Sequence, residues 1–257
     1  MSKLIDELNR TAKGGPQAMG FRAGRTALPK PRMLLIASLT QADADDPADC
    51  ITGADAGLLP ISGVKADTTT LQGYSRTVPN IPWGGWLRDT GRRKTGLKGV
   101  DCDLIVFPVD TPLGVLQDTE AGKILEVEAS ISEGLLKTID KLPLDAVLIV
   151  DSQRDDSLLT WQHLMLVQHF TASLAKPLLI QVPAKVTAAE LGVLWEAGVD
   201  GVIVTAGTRQ PPEALRKLRR VIDKLVLPAR RRQGITKALL PQVTGETSEE
   251  SEEEEEE

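Results

Sequence analysis

The chain has 257 residues, the size of one barrel or doubly wound domain, and its 41% hydrophobic and 26% charged residues match an ordinary globular mix, which excludes a disordered or fibrous protein for most of its length. The formal charge of -6 misleads about the folded part: residues 244–257 hold nine glutamates and no base, and without them 27 acids face 30 bases, a net of +3. No apolar run reaches about 18 residues, the opening MSKLIDELNR is no signal peptide, and two cysteines in unlike contexts (Cys50, Cys102) exclude a disulfide framework, so a reducing, cytoplasmic setting is expected.

Residues 1–12 read as an extra amphipathic helix, and 13–32 as a basic connector expected to close one end of the fold. Eight short apolar runs then alternate with polar or amphipathic connections. They are Met33–Leu39, Gly57–Ser62, Ile81–Leu87, Asp103–Val109, Lys123–Ala129, Asp145–Val150, Pro177–Val182 and Gly201–Thr205. Near-continuous hydrophobicity within each run suits parallel strands covered on both faces.

Helical patterns are firmest in the second half. Ser132–Leu142 places Leu135, Leu136 and Ile139 on one side, and Ser157–Ala175 places Leu158, Trp161, Met165 and Leu166 at helical spacing. Thr187 and Glu190 form a capping box for a helix that Gly198 ends, and Pro211-Pro212-Glu213 opens one running to Leu225. The Asp-rich stretch 41–54 and the Gly/Arg/Lys-rich stretch 90–99 predict that two or three of the first four helices are short or replaced by loops. Eight such units make a single (β/α)8 TIM barrel over 33–226, followed by a basic extension (227–243) and an acidic, disordered tail (244–257). An open doubly wound sheet is the alternative, but SLTQADADDP after the first strand lacks the Gly-rich turn of a dinucleotide fold.

In such barrels chemistry sits at the C-terminal strand ends. Alternation puts Leu104, Val106, Pro108 and Asp110 on one face, Ile124, Glu126 and Glu128 on another, and Val147, Ile149 and Asp151 on a third. If those faces point inward, Asp110, Glu128 and Asp151 converge and need a metal, cations or shared protons; oxygen ligands without histidine suit Mg2+. Glu126, two residues deeper, needs a partner to stay ionised, and Lys65 and Arg88 are the candidate cations. The competing reading is a rotated fifth strand, with Asp110 and Asp151 merely capping helices. His163 and His169 fall on one predicted helix away from the mouth, and neither cysteine has a neighbouring base. Trp83 and Trp86 flank Gly84-Gly85, which would admit a ligand or backbone close to the strand.

Residues 176–208, KPLLIQVPAKVTAAELGVLWEAGVDGVIVTAGT, combine a strand ending in a tight turn, a Thr-capped helix, an EAGVDGVIV run and a closing Gly-Thr. This segment resembles the phosphate-binding half of the aldolase-type and ribulose-phosphate-binding barrel superfamily. The resemblance implies that backbone groups after the last two strands hold a phosphate of a substrate or of FMN, with Gly207 and Thr208 as contacts. Pro183-Ala184-Lys185 stands where that superfamily has a Gly-Gly pair, and Lys185 is the cation that would replace the lost backbone donors.

Three readings follow. The first is a lyase or isomerase on a small anionic, phosphorylated or unphosphorylated metabolite, with Asp110, Glu126, Glu128 and Asp151 as acid-base groups, or Asp110, Glu128 and Asp151 as Mg2+ ligands. Lys65, Arg88, Lys185, Gly207 and Thr208 would then grip the anion. The second is a non-catalytic barrel that binds or scaffolds, with a protein partner reached through the acidic tail. The third is a flavin-binding oxidoreductase. No specific nucleic-acid partner is expected.

Overall fold

The computed structural model describes residues 2–13, 32–39, 50–61, 65–88, 102–117, 119–150, 158–207 and 213–228. All eight predicted strands form: β1 (Leu34–Leu39), β2 (Ala56–Ile61), β3 (Trp83–Leu87), β4 (Leu104–Pro108), β5 (Gly122–Glu128), β6 (Ala146–Val150), β7 (Leu178–Gln181) and β8 (Gly201–Ala206). Each pairs in parallel with the next, and β8 returns to β1 in a register running from Leu34↔Gly201 to Leu39↔Ala206, so the sheet closes. A closed barrel has no edge strand, which excludes the open doubly wound sheet.

The helices among the described residues are α1 (Lys3–Lys13), α2 (Lys65–Thr77), α3 (Glu133–Ile139), α4 (Trp161–Ser173), α5 (Ala188–Ala197) and α6 (Glu213–Lys224). Where a helix would follow β4 there is one short 3-10 turn, Leu113–Val115, as the irregular early connections predicted. The α5 capping box forms, and Gly198 takes the left-handed C-cap at φ 115.

Side-chain alternation splits the strands between two cores. Leu34, Ile36, Leu58, Trp86, Leu104, Val106, Ile124, Ala146, Leu148, Val150, Leu179 and Ile203 fill the barrel interior. Leu35, Leu59, Ile105, Leu125, Val147, Ile149, Ile180, Val202 and their neighbours meet the helices outside. This corrects the expected orientation of the sixth strand. Val147 and Ile149 belong to the outer layer, so the alternation thought to carry Asp151 inward is the outward one; Asp151 itself lies outside the described residues.

The base of the barrel is built on a repeated aspartate. Asp55, Asp145 and Asp200, each just before an even-numbered strand, donate their N–H to the carbonyls of Leu35, Lys123 and Leu178. Their carboxylates take back the N–H of the same residue, at 2.8, 2.7 and 2.9 Å. Asp103, before β4, keeps the backbone half of this pattern by donating to Trp83. Its carboxylate instead accepts from Ser2 Oγ at 2.7 Å, Lys3 N at 2.8 Å and Leu4 N at 3.1 Å. One side chain thus satisfies the orphan donors at the start of α1 and opposes the positive end of its dipole.

Held there, α1 pushes Leu4, Ile5 and Leu8 into the interior core, and Leu4 and Leu8 are completely buried. At about 1.5–3 kcal/mol per buried leucine, this apolar face is a large part of the helix's attachment. Gly122 permits the approach, because a Cβ there would stand 2.4 Å from Ile5 Cγ1. The helix therefore helps to close the base; the connector expected to do so, 13–32, lies almost entirely outside the described residues, which omit 14–31. Arg32 pairs with Asp55, and Arg219 of α6 reaches the same carboxylate at 2.9 Å, tying the last helix to the start of β2.

Two helices differ from the expected register. In α4 the buried residues are Val167 and Phe170, while Leu158, Trp161 and Met165 are 78%, 81% and 71% exposed. In α3, Leu136 and Ile139 are buried and Leu135 is exposed.

Candidate functional site

At the C-terminal end of the barrel the inward face changes from aliphatic to polar. Glu126 is the fifth residue of β5, paired in register with Pro108 of β4 and Leu148 of β6. Its face is that of Ile124, which lies in the interior core, so its carboxylate rises from the core into the mouth. Trp86 of β3 is inward and 1% exposed, and its indole Nε1–H donates to Glu126 Oε2 at 2.6 Å. Charge-assisted bonds of this kind are among the strongest in proteins. Among the described residues, Oε1 accepts no hydrogen bond.

Arg88, just past the end of β3, places its guanidinium carbon 3.7 Å from the centroid of the Trp86 ring. The indole therefore holds a carboxylate at its N–H edge and a cation on its face. Arg88 does serve the Glu126 neighbourhood, but through the tryptophan rather than by a direct ion pair. The exposed guanidinium keeps its planar fork of donors for an incoming anion.

Across the mouth, Gln181 of β7 donates from Nε2 to Thr205 Oγ1 of β8 at 3.4 Å, and Ser38 of β1 pairs in register with Thr205. All three share the inward alternation of their strands. Thr111, after β4, adds a buried hydroxyl with no hydrogen-bond partner among the described residues. A half-covered carboxylate, a stacked guanidinium and several neutral hydrogen-bonding groups thus gather at one end of the barrel.

The remaining sequence candidates are distributed as follows. Asp110 and Glu128 are exposed on the rim, Glu128 accepting from Ser130 Oγ at 3.3 Å. Among the described residues, no group of three His, Cys, Asp or Glu side chains is placed to hold a metal ion; the Mg2+ site considered from sequence, Asp110, Glu128 and Asp151, includes Asp151, which lies outside the described residues. Lys65 opens α2, its side chain lying outside the described residues, as do Asp151 and Thr208. Lys185 is exposed in the turn after β7, where Val186 N closes on Pro183 O at 3.1 Å, and Gly207 directly follows β8.

The helix start after β7 offers little to a phosphate. Glu190 Oε2 already accepts from Thr187 N at 2.7 Å and Thr187 Oγ1 at 2.8 Å, so a carboxylate occupies that positive end. Pro183 lacks an N–H as well, so this turn keeps few backbone donors for a phosphate; of the contacts that the resemblance implies after β8, Gly207 is described and Thr208 is not. Trp83 lies in the outer layer, its ring 5.3 Å from that of Tyr74. Gly84 and Gly85 make room for neighbouring side chains, since a Cβ would meet Leu104 Cγ and Ile61 Cδ1, each at 2.4 Å.

Trp86 is the site residue that sequence reasoning did not assign to Glu126. A signal for it existed: side chains of alternate strands share a layer in these barrels, and β3 and β5 each place one unusual inward residue at mid-strand.

A closed parallel barrel wrapped by helices, with its polar residues at the C-terminal strand ends, defines a (β/α)8 TIM-barrel fold. Among solved structures, this chain is similar to a mutant tryptophan synthase alpha-subunit from Pyrococcus furiosus, with 14% identity, a TM-score of 0.58 and coverage of 76% of this chain and 98% of that one. It is also similar to tryptophan synthase from M. tuberculosis, with 14% identity, a TM-score of 0.54 and coverage of 74% and 91%. No family model and no curated protein sequence matches it. At this identity the likeness is one of fold. No helix among the described residues is long and apolar enough to cross a membrane.

Proposed function

We propose that the chain is an enzyme of lyase or isomerase type acting on a small anionic metabolite at the barrel mouth. One observation carries this reading: Glu126 is presented in the mouth with one oxygen fixed by the Trp86 indole. A carboxylate so oriented suits proton transfer to or from a carbon or oxygen beside a carbonyl, the step that C–C lyases and isomerases share. Arg88, pinned on the same indole, would hold the anionic group, and Gln181 and Thr205 would orient neutral oxygens. Asp110, Glu128 and Asp151 are rim acids in this scheme, and Lys185 with Gly207 and Thr208 a second anion contact. The solved relatives named tryptophan synthase make a lyase-type reaction the natural first class to test.

A non-catalytic binding barrel is the second reading, favoured by the apolar Pro60, Pro108 and Val150 around the same mouth. The two separate in one experiment. A thermal-shift screen of anionic metabolites finds a ligand, and turnover of that ligand is followed in wild type, Glu126→Gln and Arg88→Ala. The expected result is a kcat loss of about 10²–10⁴-fold for Glu126→Gln, typical of a general acid-base group, with KM little changed. Arg88→Ala should chiefly raise KM. A ligand that stabilises the fold but is never transformed selects the binding barrel, and a yellow protein with flavin absorbance selects the oxidoreductase.

A further inference from the structure

Of the described helices, α4 alone holds no Asp, Glu, Lys or Arg, and the uncharged stretch runs from Leu158 to Ala175 in a chain that is 26% charged. Its inner side is accounted for, because Val167 and Phe170 are buried in the outer core. The outward side carries Trp161, Met165, Gln168 and Ala172, all exposed and spaced four, three and four residues apart. That spacing lines them up as one stripe along the helix, of the kind that seats one helix against another. Trp161 is 81% exposed and Met165 71%, with Leu158 at 78% just before the helix. Beside them, α5 is joined to α4 by Thr171 Oγ1 donating to Ala197 O at 3.0 Å, and its Val193 is 45% exposed. A helix side turned to solvent normally carries charge. Aromatic and Met side chains with charge depleted around them instead mark the centre of a protein interface.

We propose that a second copy of this chain covers this face, the two α4 helices lying antiparallel about a two-fold axis. Charge and size both select a copy of the same surface over an unlike partner. A two-fold contact sets a patch against itself, so any net charge would meet its like, and the α4 stripe carries none. In size the stripe tapers, from Trp161 and Met165 at the start of the helix to Gln168 and Ala172 near its end. Antiparallel pairing therefore opposes Trp161 to the partner's Ala172 and Met165 to the partner's Gln168, so that every layer sets a large side chain on a smaller one. Parallel pairing would set tryptophan on tryptophan and leave a gap between the two alanines. Trp161 alone offers about 150–200 Å². With Leu158, Met165 and Val193 beside it, the contact reaches about 600 Å² per partner, the low end for a specific interface, which makes the dimer a reversible one.

Sedimentation velocity of the full chain over about 1–300 µM tests this by mass action. The expected result is a reversible monomer–dimer equilibrium that about 1 M salt leaves in place, because no charge is paired along the stripe. Met165→Glu should abolish the dimer while the melting temperature stays within a few degrees, as for any change at a solvent-facing site. Trp161→Ala and Ala172→Trp should each raise the dissociation constant at least tenfold, the first by removing the anchor and the second by setting tryptophan on tryptophan. The exchange variant W161A/A172W restores a large-on-small layer and should return the constant to within about threefold of wild type. If that variant does not fold, M165Q/Q168M makes the same exchange in the neighbouring layer and should recover the association that M165Q alone loses. A chain monomeric throughout the range, a dimer that survives Met165→Glu, or single changes that the exchange does not repair would each overturn the proposal.

Discussion

The pairing of Glu126 with Trp86 shows how one hydrogen bond turns an awkward residue into a usable one. A carboxylate at mid-strand in a barrel interior is visible in the sequence as an anomaly, because charge there is unfavourable without a donor. What the one-dimensional chain conceals is the donor, 40 residues upstream on a strand two positions around the barrel. Trp86→Phe keeps the aromatic volume but deletes the N–H. Urea unfolding should therefore show a loss of about 0.5–1.5 kcal/mol, the usual net contribution of one hydrogen bond. A change within about 0.5 kcal/mol would mean that the bond contributes nothing net. On the acid-base role proposed for Glu126, loss of turnover should accompany the change even where the fold survives, since the carboxylate is then free to rotate.

Among the elements, strands and caps were legible and helix faces were not. Every strand fell within two residues of its predicted start because β-branched and aliphatic runs bounded by polar residues leave little choice. The α5 cap was equally local: Thr187 and Glu190 satisfy each other's backbone whatever surrounds them. Thr187→Ala should accordingly destabilise the protein by about 0.5–2 kcal/mol, measured by the shift in denaturant midpoint at unchanged slope. The orientation of α4 was misjudged for the opposite reason. Apolar residues surround that helix, so periodicity gives no preferred side, and packing into the outer core selects Val167 and Phe170 while leaving Trp161 and Met165 in solvent. The inward and outward faces of β6 were likewise exchanged, because a strand buried on both sides carries no alternation to read.

For the whole molecule, the first helix is the feature that most separates this barrel from a bare ring of eight βα units. It closes the base by inserting Leu4, Ile5 and Leu8 into the core beneath the mouth, and Asp103 fastens its start. Leu8→Ala should cost about 2–5 kcal/mol in global unfolding, as expected for a cavity in a core; a surface helix would give less than about 0.5 kcal/mol. Closure into a barrel rather than an open doubly wound sheet was decided by the β8–β1 pairing, but the α/β class was settled by the sequence alone, since eight evenly hydrophobic runs alternating with amphipathic connections call for parallel strands covered on both faces. The presence of a helix before the first strand, the cap of α5 and the anomaly of Glu126 were settled there too, being local in origin. The tertiary structure alone decided which strand faces look inward, which tryptophan answers Glu126, and that α1 inserts its apolar face into the base. Those outcomes depend on contacts between residues dozens of positions apart, whose energies exist only once the barrel has closed.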